Sequence, residues 1–252
     1  MKILQKICFV LLLTTFSSVY GGSCNDVDEC RVKAEQGYSE AQFILGMLYE
    51  HGLGVIKDYK AAVKWYRLSA EQGHSIAQYG LGLMYLNGQG VAQDDKESVK
   101  WTRKSAEQGY VDAQYNLGTM YSNGKGVPQD YKEAFKWFRK SAEQGYSKSQ
   151  FNLGLMYHDG TGVLQDYKEA VKWTRKSAEQ GYTKAQFNLG VMYAGGEGVI
   201  KDFAMAHMYF NIASVSGYKI AIKERDRIEG VMSASQIAEA QRMAREWMRK
   251  HQ

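Results

Sequence analysis

The feature that most constrains this chain of 252 residues is internal repetition with a step of 36 residues. Trp65, Trp101, Trp137 and Trp173 follow one another at this step, and Tyr209 takes the next position. A tandem repeat of this length buries its apolar face only against its neighbours, so the sequence predicts a solenoid. We count five full repeats, at 34–69, 70–105, 106–141, 142–177 and 178–213, between a half-repeat or cap at 22–33 and a degenerate repeat with a capping helix at 214–252.

Each repeat carries start signals for two helices, which we call A and B. In helix A, serine or threonine stands at the expected N-cap and glutamine follows three residues later, as in a capping box; the pairs are Ser39 and Gln42, Ser75 and Gln78, Ser147 and Gln150, and Thr183 and Gln186. Tyr38 and Phe43 flank this start with the spacing of a hydrophobic staple. In helix B the expected N-cap is an aspartate, such as Asp58, and three glutamates complete capping boxes, namely Glu97, Glu133 and Glu169.

Glycine marks three places in each repeat. Gly73 and its equivalents end helix B in a left-handed conformation, and Gly52 and Gly54 give the A-to-B loop positive φ angles. A third glycine lies inside helix A, where it costs about 1 kcal/mol relative to alanine. Because this cost recurs in every repeat, we expect helices A and B to cross there too closely for a Cβ atom; these glycines are Gly46, Gly82, Gly118, Gly154 and Gly190.

The recurring residues of one repeat carry a family resemblance. They are Ala41, Leu45, Gly46, Tyr49, Gly52, Gly54, Val55, Asp58, Tyr59, Ala62 and Trp65. This pattern resembles the Sel-one-like repeat, a relative of the tetratricopeptide repeat, and the match runs through all five repeats. The resemblance implies an all-α fold, a right-handed α/α superhelix of helix-turn-helix repeats, with a concave groove that binds protein partners.

The first residues have the pattern of a secretory signal peptide. Lys2 and Lys6 precede an apolar run at 7–13, and we expect cleavage near Gly21. A membrane anchor is one alternative, but the run is far shorter than the roughly 20 residues of a spanning helix. A lipid anchor on Cys24 is another, although Gly21 stands where a lipobox requires a leucine-like residue. We therefore expect a periplasmic or secreted protein with no integral membrane segment after removal of 1–21.

Charge and cysteine content narrow the partners. The chain has 32 basic and 27 acidic residues, and loss of Lys2 and Lys6 leaves 30 basic residues and a net charge of +3. This mild excess is not typical of nucleic-acid binders, so we expect no nucleic-acid partner. Cys24 and Cys30 are the cysteines that remain after cleavage, and they could form a small disulfide or stay as free thiols.

The sequence gives only weak signals for a polyanion-binding, metal or catalytic site. The basic residues of helix B stand four positions before glutamates, which favours a solvated helix face over a polyanion-binding stripe; the pairs are Arg103 and Glu107, Arg139 and Glu143, and Arg175 and Glu179. The histidines lack metal-ligand spacing, so we expect no metal site. We also expect no cofactor and no catalytic residue. Ser122 with Lys125 and Ser216 with Lys219 match Ser-x-x-Lys, but Lys-Thr-Gly and Ser-Asp-Asn are absent from the sequence.

Comparing the five copies separates scaffold from surface, because slots that keep one residue type serve the stack. By analogy with tetratricopeptide repeats, helix A lines the groove. Its most variable slots predict the partner-binding residues Glu40, Met47, Glu50, His51, Ile76, Leu83, Leu86, Asn87, Asp112, Thr119, Asn123, Lys148, Leu155, His158, Lys184 and Val191. We expect an acidic N-terminal end, an apolar second repeat, and basic character at Lys148 and Lys184. One repeat apart, Asn116, Asn152 and Asn188 form either an amide ladder for an extended peptide or bonds to inter-helix carbonyls.

These patterns predict a monomeric, non-enzymatic module that holds a peptide or protein in the groove, in the cell envelope or outside the cell. A secreted factor that acts on host proteins is an alternative of the same kind. An enzyme that acts on β-lactam or cell-wall substrates, as the resemblance to cysteine-rich family members implies, is the alternative from another class.

Overall fold

The structure is a computed structural model that describes Cys24 and residues 26–251, so the predicted signal peptide lies outside the described residues. In this described part there are thirteen α-helices and no strand. The chain divides into two compact units, the first ending at Gln129 and the second beginning at Asp130. The first unit contains α1 (Val27–Glu35), α2 (Ser39–His51), α3 (Tyr59–Glu71), α4 (Ser75–Asn87), α5 (Asp95–Glu107) and α6 (Val111–Asn123). The second contains α7 (Tyr131–Glu143), α8 (Ser147–Asp159), α9 (Tyr167–Glu179), α10 (Thr183–Gly195), α11 (Phe203–Val215), α12 (Lys219–Glu229) and α13 (Ala234–Lys250).

Neighbouring helices along the chain pack against each other in both units. In the first unit this succession runs from α1 to α6, and in the second from α7 to α12, with α13 returning to pack on α11. The all-α repeat fold is therefore confirmed, with helix A represented by α2, α4, α6, α8 and α10. None of the described helices is long and apolar enough to span a membrane.

Helices A and B of one repeat cross at the glycine inside helix A. A Cβ atom on Gly46 would lie 2.7 Å from Cδ1 of the Tyr66 ring, and one on Gly154 would overlap the hydroxyl of Thr174. Gly82 and Gly190 are crowded in the same way by Thr102 and Phe210. The predicted close crossing is therefore confirmed at these positions.

Helix B begins at its aspartate and ends at its glycine, as predicted. Asp58 Oδ1 accepts hydrogen bonds from the backbone N–H groups of Lys60 at 2.8 Å and Ala61 at 3.1 Å. The equivalent aspartates of the other four repeats cap their helices in the same way. Gly73, with a φ of +92°, follows the C-cap of α3 in the left-handed region.

The capping boxes predicted at the start of helix B are wrong; their glutamates are Glu97, Glu133 and Glu169. The backbone N–H of Asp94 donates to the Tyr85 carbonyl at 3.0 Å, so no free donor remains there for Glu97. Glu97 instead accepts from Nζ of Lys100 at 2.8 Å, and the other two glutamates pair with the lysines three residues after them.

The capping boxes predicted for helix A are also wrong. Tyr38, rather than Ser39, is the N-cap residue of α2, and no side chain caps that helix. Gln42 is buried, and its Nε2 donates to the carbonyl of Ala34 at 3.1 Å, while its Oε1 accepts from Nε2 of Gln72 at 2.7 Å. The first of these bonds, over eight residues, recurs as Gln78 to Ala70, Gln114 to Ala106, Gln150 to Ala142, and Gln186 to Ala178. The glutamine therefore satisfies the end of the preceding helix B rather than the start of its own helix.

Aromatic residues at the start of helix A join neighbouring repeats. Phe43 packs on His74 with ring centroids 4.8 Å apart, whereas Tyr38 is 61% exposed, so the predicted hydrophobic staple is wrong. The corresponding ring pairs are Tyr79 with Tyr110, Phe151 with Tyr182, and Phe187 with Tyr218. The spacing is the one that a staple uses, but the partner belongs to the next repeat.

Arginines of helix B also reach the next repeat. Arg103 donates to the hydroxyl of Tyr121 at 2.6 Å, and Arg175 donates to that of Tyr193 at 2.8 Å. The pairs predicted for these two arginines with the glutamates four residues later are therefore wrong. Arg139 does pair with the glutamate four residues later, at 2.8 Å.

The interior and both ends of the described chain are closed by specific contacts. Trp101, Trp137 and Trp173 are at most 8% exposed, as expected for packing residues. A disulfide joins Cys24 to Cys30, which lies within α1. At the other end, Ser233 and Gln236 form the predicted capping box of α13, whose buried alanines Ala240 and Ala244 lie on its inner side.

Candidate partner-binding site

The face of helix A that varies between repeats is formed by four slots of each repeat. They are spaced by four, three and four residues, which places them on one side of the helix. In α2 they are Glu40, Ile44, Met47 and His51; Ile44 is buried, whereas the other three are half-buried or exposed. The opposite side of the helix holds residues that change little from repeat to repeat. In α2 these include Ala41 and Leu45, and both are fully buried. Variation between repeats is therefore concentrated on the accessible side of helix A.

The predicted partner-binding residues are all exposed or half-buried, but they do not all lie on this face. The slot of Glu50, Leu86 and His158 lies at its side. Glu50 accepts from the Tyr66 hydroxyl at 2.6 Å, and Nε2 of His158 lies 3.0 Å from Glu197 Oε2. Burial, reinforced by the Glu50 charge, raises the pKa of the Tyr66 hydroxyl, which keeps it a donor. This slot therefore joins helix A to its own scaffold.

On the face of the first unit, two predicted polar residues are bonded to the protein itself. Glu40 Oε2 lies 2.7 Å from Nε2 of His74. Because Nδ1 of His74 accepts from the backbone N–H of Ala77, Nε2 carries the proton that Glu40 accepts. Asn116 Nδ2 donates to the Tyr79 hydroxyl at 2.7 Å, so its predicted bond to a carbonyl is replaced by one to a side chain.

The rest of the first unit's face is mixed. Met47 and Ile76 are half-buried and pack against the core, and Leu83 on α4 is also half-buried. Thr119 donates to a carbonyl within its own helix. Asp112 is half-exposed, and no hydrogen bond or ion pair of its side chain is found among the described residues. The slots at the C-terminal ends of these helices are exposed and hold His51, Asn87 and Asn123.

The face of the second unit, which we call the basic face, consists of Lys148, Asn152 and Leu155 on α8 and of Lys184, Asn188 and Val191 on α10. Both lysines are exposed at the second residue of their helix, and both asparagines are half-buried one turn later. Val191 is 41% exposed, and Leu155 is half-buried. Within the described chain, none of the four polar side chains has a hydrogen bond or an ion pair. The face is therefore built of polar groups that the protein leaves available.

A histidine lies beside the basic face. Nδ1 of His158 is 2.6 Å from Asp159 Oδ1, and its ring packs edge-on against Tyr167. Partial burial lowers the pKa of His158, but the bonds to Asp159 and Glu197 outweigh it, so the pKa is raised above 6.5. This cluster links the end of α8 to the loop before α11.

Sequence reasoning missed the residues that decide which polar groups are free. His74 stands where the other repeats have tyrosine, and this exception was the available signal for a partner of Glu40. Tyr79, the partner of Asn116, stands 37 residues before it, and the residue 37 before Asn188 is Phe151, which has no hydroxyl. For Asn116 and Asn188, the aromatic slot therefore distinguishes the bonded asparagine from the free one.

The structure gives the two Ser-x-x-Lys matches separate local roles. Ser122 lies near the end of α6, and Lys125 is 3.8 Å from Asp95 Oδ1. Ser216 is the exposed C-cap residue of α11, and Lys219 begins α12. Among the described residues, no group of three or more His, Cys, Asp or Glu side chains is arranged to hold a metal ion.

Comparisons with known proteins agree with this architecture. The Sel1 repeat model matches at 39–74, 75–110, 111–146, 147–182 and 183–217. The crystal structure of a protective antigen present in uropathogenic Escherichia coli strains, described as displaying an SLR fold, is 37% identical and superposes with a TM-score of 0.81, covering 96% of this chain and 52% of that one. A Sel1 repeat protein from Oxalobacter formigenes is 34% identical with a TM-score of 0.76, covering 85% of this chain and 88% of that one. The chain thus spans about half the length of the E. coli protein. No curated protein sequence matches it.

Proposed function

Because the chain belongs to the Sel1 repeat family, whose helical scaffold is typical of protein–protein interaction, we propose that it holds a peptide or protein partner on the exposed faces of its A helices. One observation carries the proposal. The slots that vary between repeats lie at the surface, while those that recur, such as Leu45, Leu81 and Leu189, are fully buried. A scaffold that repeats its interior and changes its face presents different chemistry from the same backbone geometry.

The proposed location is the cell envelope or the exterior of the cell. The leader-like residues Lys2, Lys6 and 7–13 support it, as does the disulfide between Cys24 and Cys30, because disulfides persist in oxidising compartments. A secreted or surface factor that meets host proteins is a second candidate of the same class. It is favoured by the likeness to the E. coli antigen, which extends over 96% of this chain.

Site-specific photo-crosslinking tests the proposal. A photoreactive phenylalanine analogue placed at Leu83 or Val191, on the A-helix faces, should give a covalent adduct with one and the same partner in native envelope or culture medium. Matched probes at Lys104 and Lys168 lie exposed on helix B and should give none. Adducts formed only from the helix B probes would contradict the assigned face.

An enzyme assay separates the scaffold from the hydrolase alternative. The full chain and the Ser122→Ala and Ser216→Ala variants are incubated with a chromogenic β-lactam. We expect the same background rate for all three chains, because Lys125 lies near Asp95 and Ser216 is a helix C-cap. Turnover that disappears in either variant would overturn the non-enzymatic proposal.

A further inference from the structure

We infer that the basic face of the second unit binds an extended acidic segment of a protein, with carboxylates at Lys148 and Lys184 and backbone amides at Asn152 and Asn188. This inference rests on the proposed function and adds to it the chemistry of the partner and the unit that receives it. It starts from a contrast between these two lysines and two paired lysines on helix B of the same unit.

The lysines of the basic face differ from two lysines on helix B of the same unit, which have acidic partners. On helix B, Lys136 pairs with Glu133, and Lys172 pairs with Glu169 at 2.7 Å. Lys148 and Lys184 are exposed, and neither has an acidic partner among the described residues. Each stands in the first turn of its helix, where the positive end of the macrodipole adds to its charge. Both features favour an anionic group as the missing partner.

The two asparagines favour a peptide as the carrier of that anion. A side-chain amide offers a donor and an acceptor, which match the carbonyl and N–H of an extended backbone. In the first unit, Asn116 donates a hydrogen bond to the Tyr79 hydroxyl. In the second unit, Phe151 stands in the corresponding position before Asn188 and has no hydroxyl to accept such a bond. A bound segment would supply hydrogen-bond partners for these half-buried amides, and no hydrogen bond within the protein would have to break.

The order of residues along each helix sets three parallel rows. Lysine, asparagine and an aliphatic residue follow at steps of four and three residues on both α8 and α10. Leu155 and Val191 form the third row and can receive an apolar side chain of the partner.

α8 and α10 both pack on α9, and packed helices are about 8–10 Å apart, so the two axes are at most ~20 Å apart. About six extended residues at ~3.3 Å each cover that span, so the two carboxylates lie within about six positions of each other.

A polyanion such as a nucleic acid or an acidic polysaccharide is the rival ligand. It would use the lysines but would have no need of the paired amides, and it would also be attracted to the lysines of helix B. The chain itself provides a control for this rival. Lys132 and Lys168 are exposed second residues of α7 and α9, as Lys148 and Lys184 are of α8 and α10, so the two pairs are matched in unit, helix position and charge.

The test measures binding of fluorescent octapeptides to the full chain by anisotropy. One series carries two glutamates separated by one to five residues, and a twin series carries glutamine instead. We expect at least one glutamate peptide to bind ~10-fold more tightly than its twin, and Lys148→Glu with Lys184→Glu to lower that affinity at least ~10-fold. The matched pair Lys132→Glu with Lys168→Glu should leave it within about twofold. Raising the salt concentration should weaken binding of the glutamate peptide and remove most of its advantage.

The amides are tested separately. Asn152→Ala with Asn188→Ala should lower affinity for the glutamate peptide several-fold while leaving its salt dependence unchanged, because the lysines remain. Circular dichroism checks that helicity is retained, and Lys148→Gln with Lys184→Gln replaces the reversal if that variant loses it. Equal loss in the Lys132 and Lys168 control, equal binding of the glutamine peptides, or preference for a heparin probe would overturn the inference. If the photo-crosslinked partner is still captured by Lys148→Glu with Lys184→Glu, the proposed function stands and the basic face is not its site.

Discussion

The A-helix faces of the two units differ in how many of their polar residues are bonded within the protein. In the first unit, Glu40 is bonded to His74 and Asn116 to Tyr79. In the second, Lys148, Lys184 and both asparagines are left without partners in the described chain. A repeat scaffold therefore fixes where a side chain stands but not whether it is available. For Glu40 and Asn116, availability is set by a single residue about one repeat away.

The largest expected effect concerns what the two units share. Gly46→Ala would press a methyl group into the Tyr66 ring, and Gly154→Ala would press one into Thr174 and the carbonyl of Ala170. Overpacking costs about 1–3 kcal/mol, against a gain of about 1 kcal/mol in helix propensity. Both variants should lower the thermal midpoint by several degrees, measured by circular dichroism, whereas Lys184→Ala should not. A loss confined to one unit's glycine would mean that the scaffolds differ, which would undermine the comparison.

The next effect separates structural from available charges. Glu40→Ala removes the acceptor of a half-buried bond to His74 and should lower the free energy of unfolding by about 1 kcal/mol. Lys148→Ala removes a solvated side chain and should change it by no more than about 0.5 kcal/mol. Urea denaturation of both variants provides the measurement. If Lys148→Ala costs as much as Glu40→Ala, the basic face is held by the fold and is not free.

An exchange of aromatic residues sharpens the comparison further. Phe151→Tyr should give Asn188 the hydroxyl that Tyr79 gives Asn116, and so lower affinity for an acidic peptide by about two- to tenfold, the range of one hydrogen bond. Tyr79→Phe is the reverse exchange in the first unit; it should cost about 1 kcal/mol of stability and leave that affinity unchanged. Peptide anisotropy together with thermal melting distinguishes the two. An unchanged affinity in Phe151→Tyr would remove Asn188 from the site.

The smallest effect is a dependence on pH in the second unit. The pKa of His158 is raised by Asp159 and Glu197, so the stability that it contributes is present below its unfolded pKa of about 6.5 and is lost as the pH rises through the folded value. Because the side chain is partly exposed, we expect less than about 1 kcal/mol. Thermal midpoints between pH 5 and 8 for the wild type, His158→Gln and the exposed control His51→Gln measure it. An equal slope for the wild type and His158→Gln would contradict the assignment.

Much of the fold followed from the sequence because its determinants are local or strictly periodic. The aspartate caps act within three residues, and Gly46 reports a crossing that every repeat needs. Gln42 led to the wrong prediction of a capping box. Serine followed three residues later by glutamine is the same pattern whether the amide bonds to its own helix or to the carbonyl of Ala34 in the preceding helix. Tyr38 and Phe43 misled for the same reason. Their spacing suits a staple, but stacking brings His74 to Phe43 first.

The candidate site followed only in part. Exposure of the variable slots could be predicted, since the opposite side of the helix was already assigned to the core. The sequence could not by itself say that Glu40 is occupied, because its partner lies 34 residues away and is an exception within its own slot. Arg103 and Arg175 show the same limit. The sequence places a glutamate one turn after each arginine, but packing brings a tyrosine hydroxyl of the next repeat to each guanidinium instead.

The buried glutamine link has a consequence for how such chains change length. Gln42 finds its acceptor eight residues back at Ala34, and Gln114 finds its own at Ala106. Excising 70–105 would set Ala106 directly after Ser69 and leave the Gln114 bond intact, since neither of its ends is lost. Genes for such arrays can therefore gain or lose whole repeats by recombination without a new contact between repeats. The resulting protein has a shorter or longer binding surface, and its repeats are joined by the same hydrogen bonds.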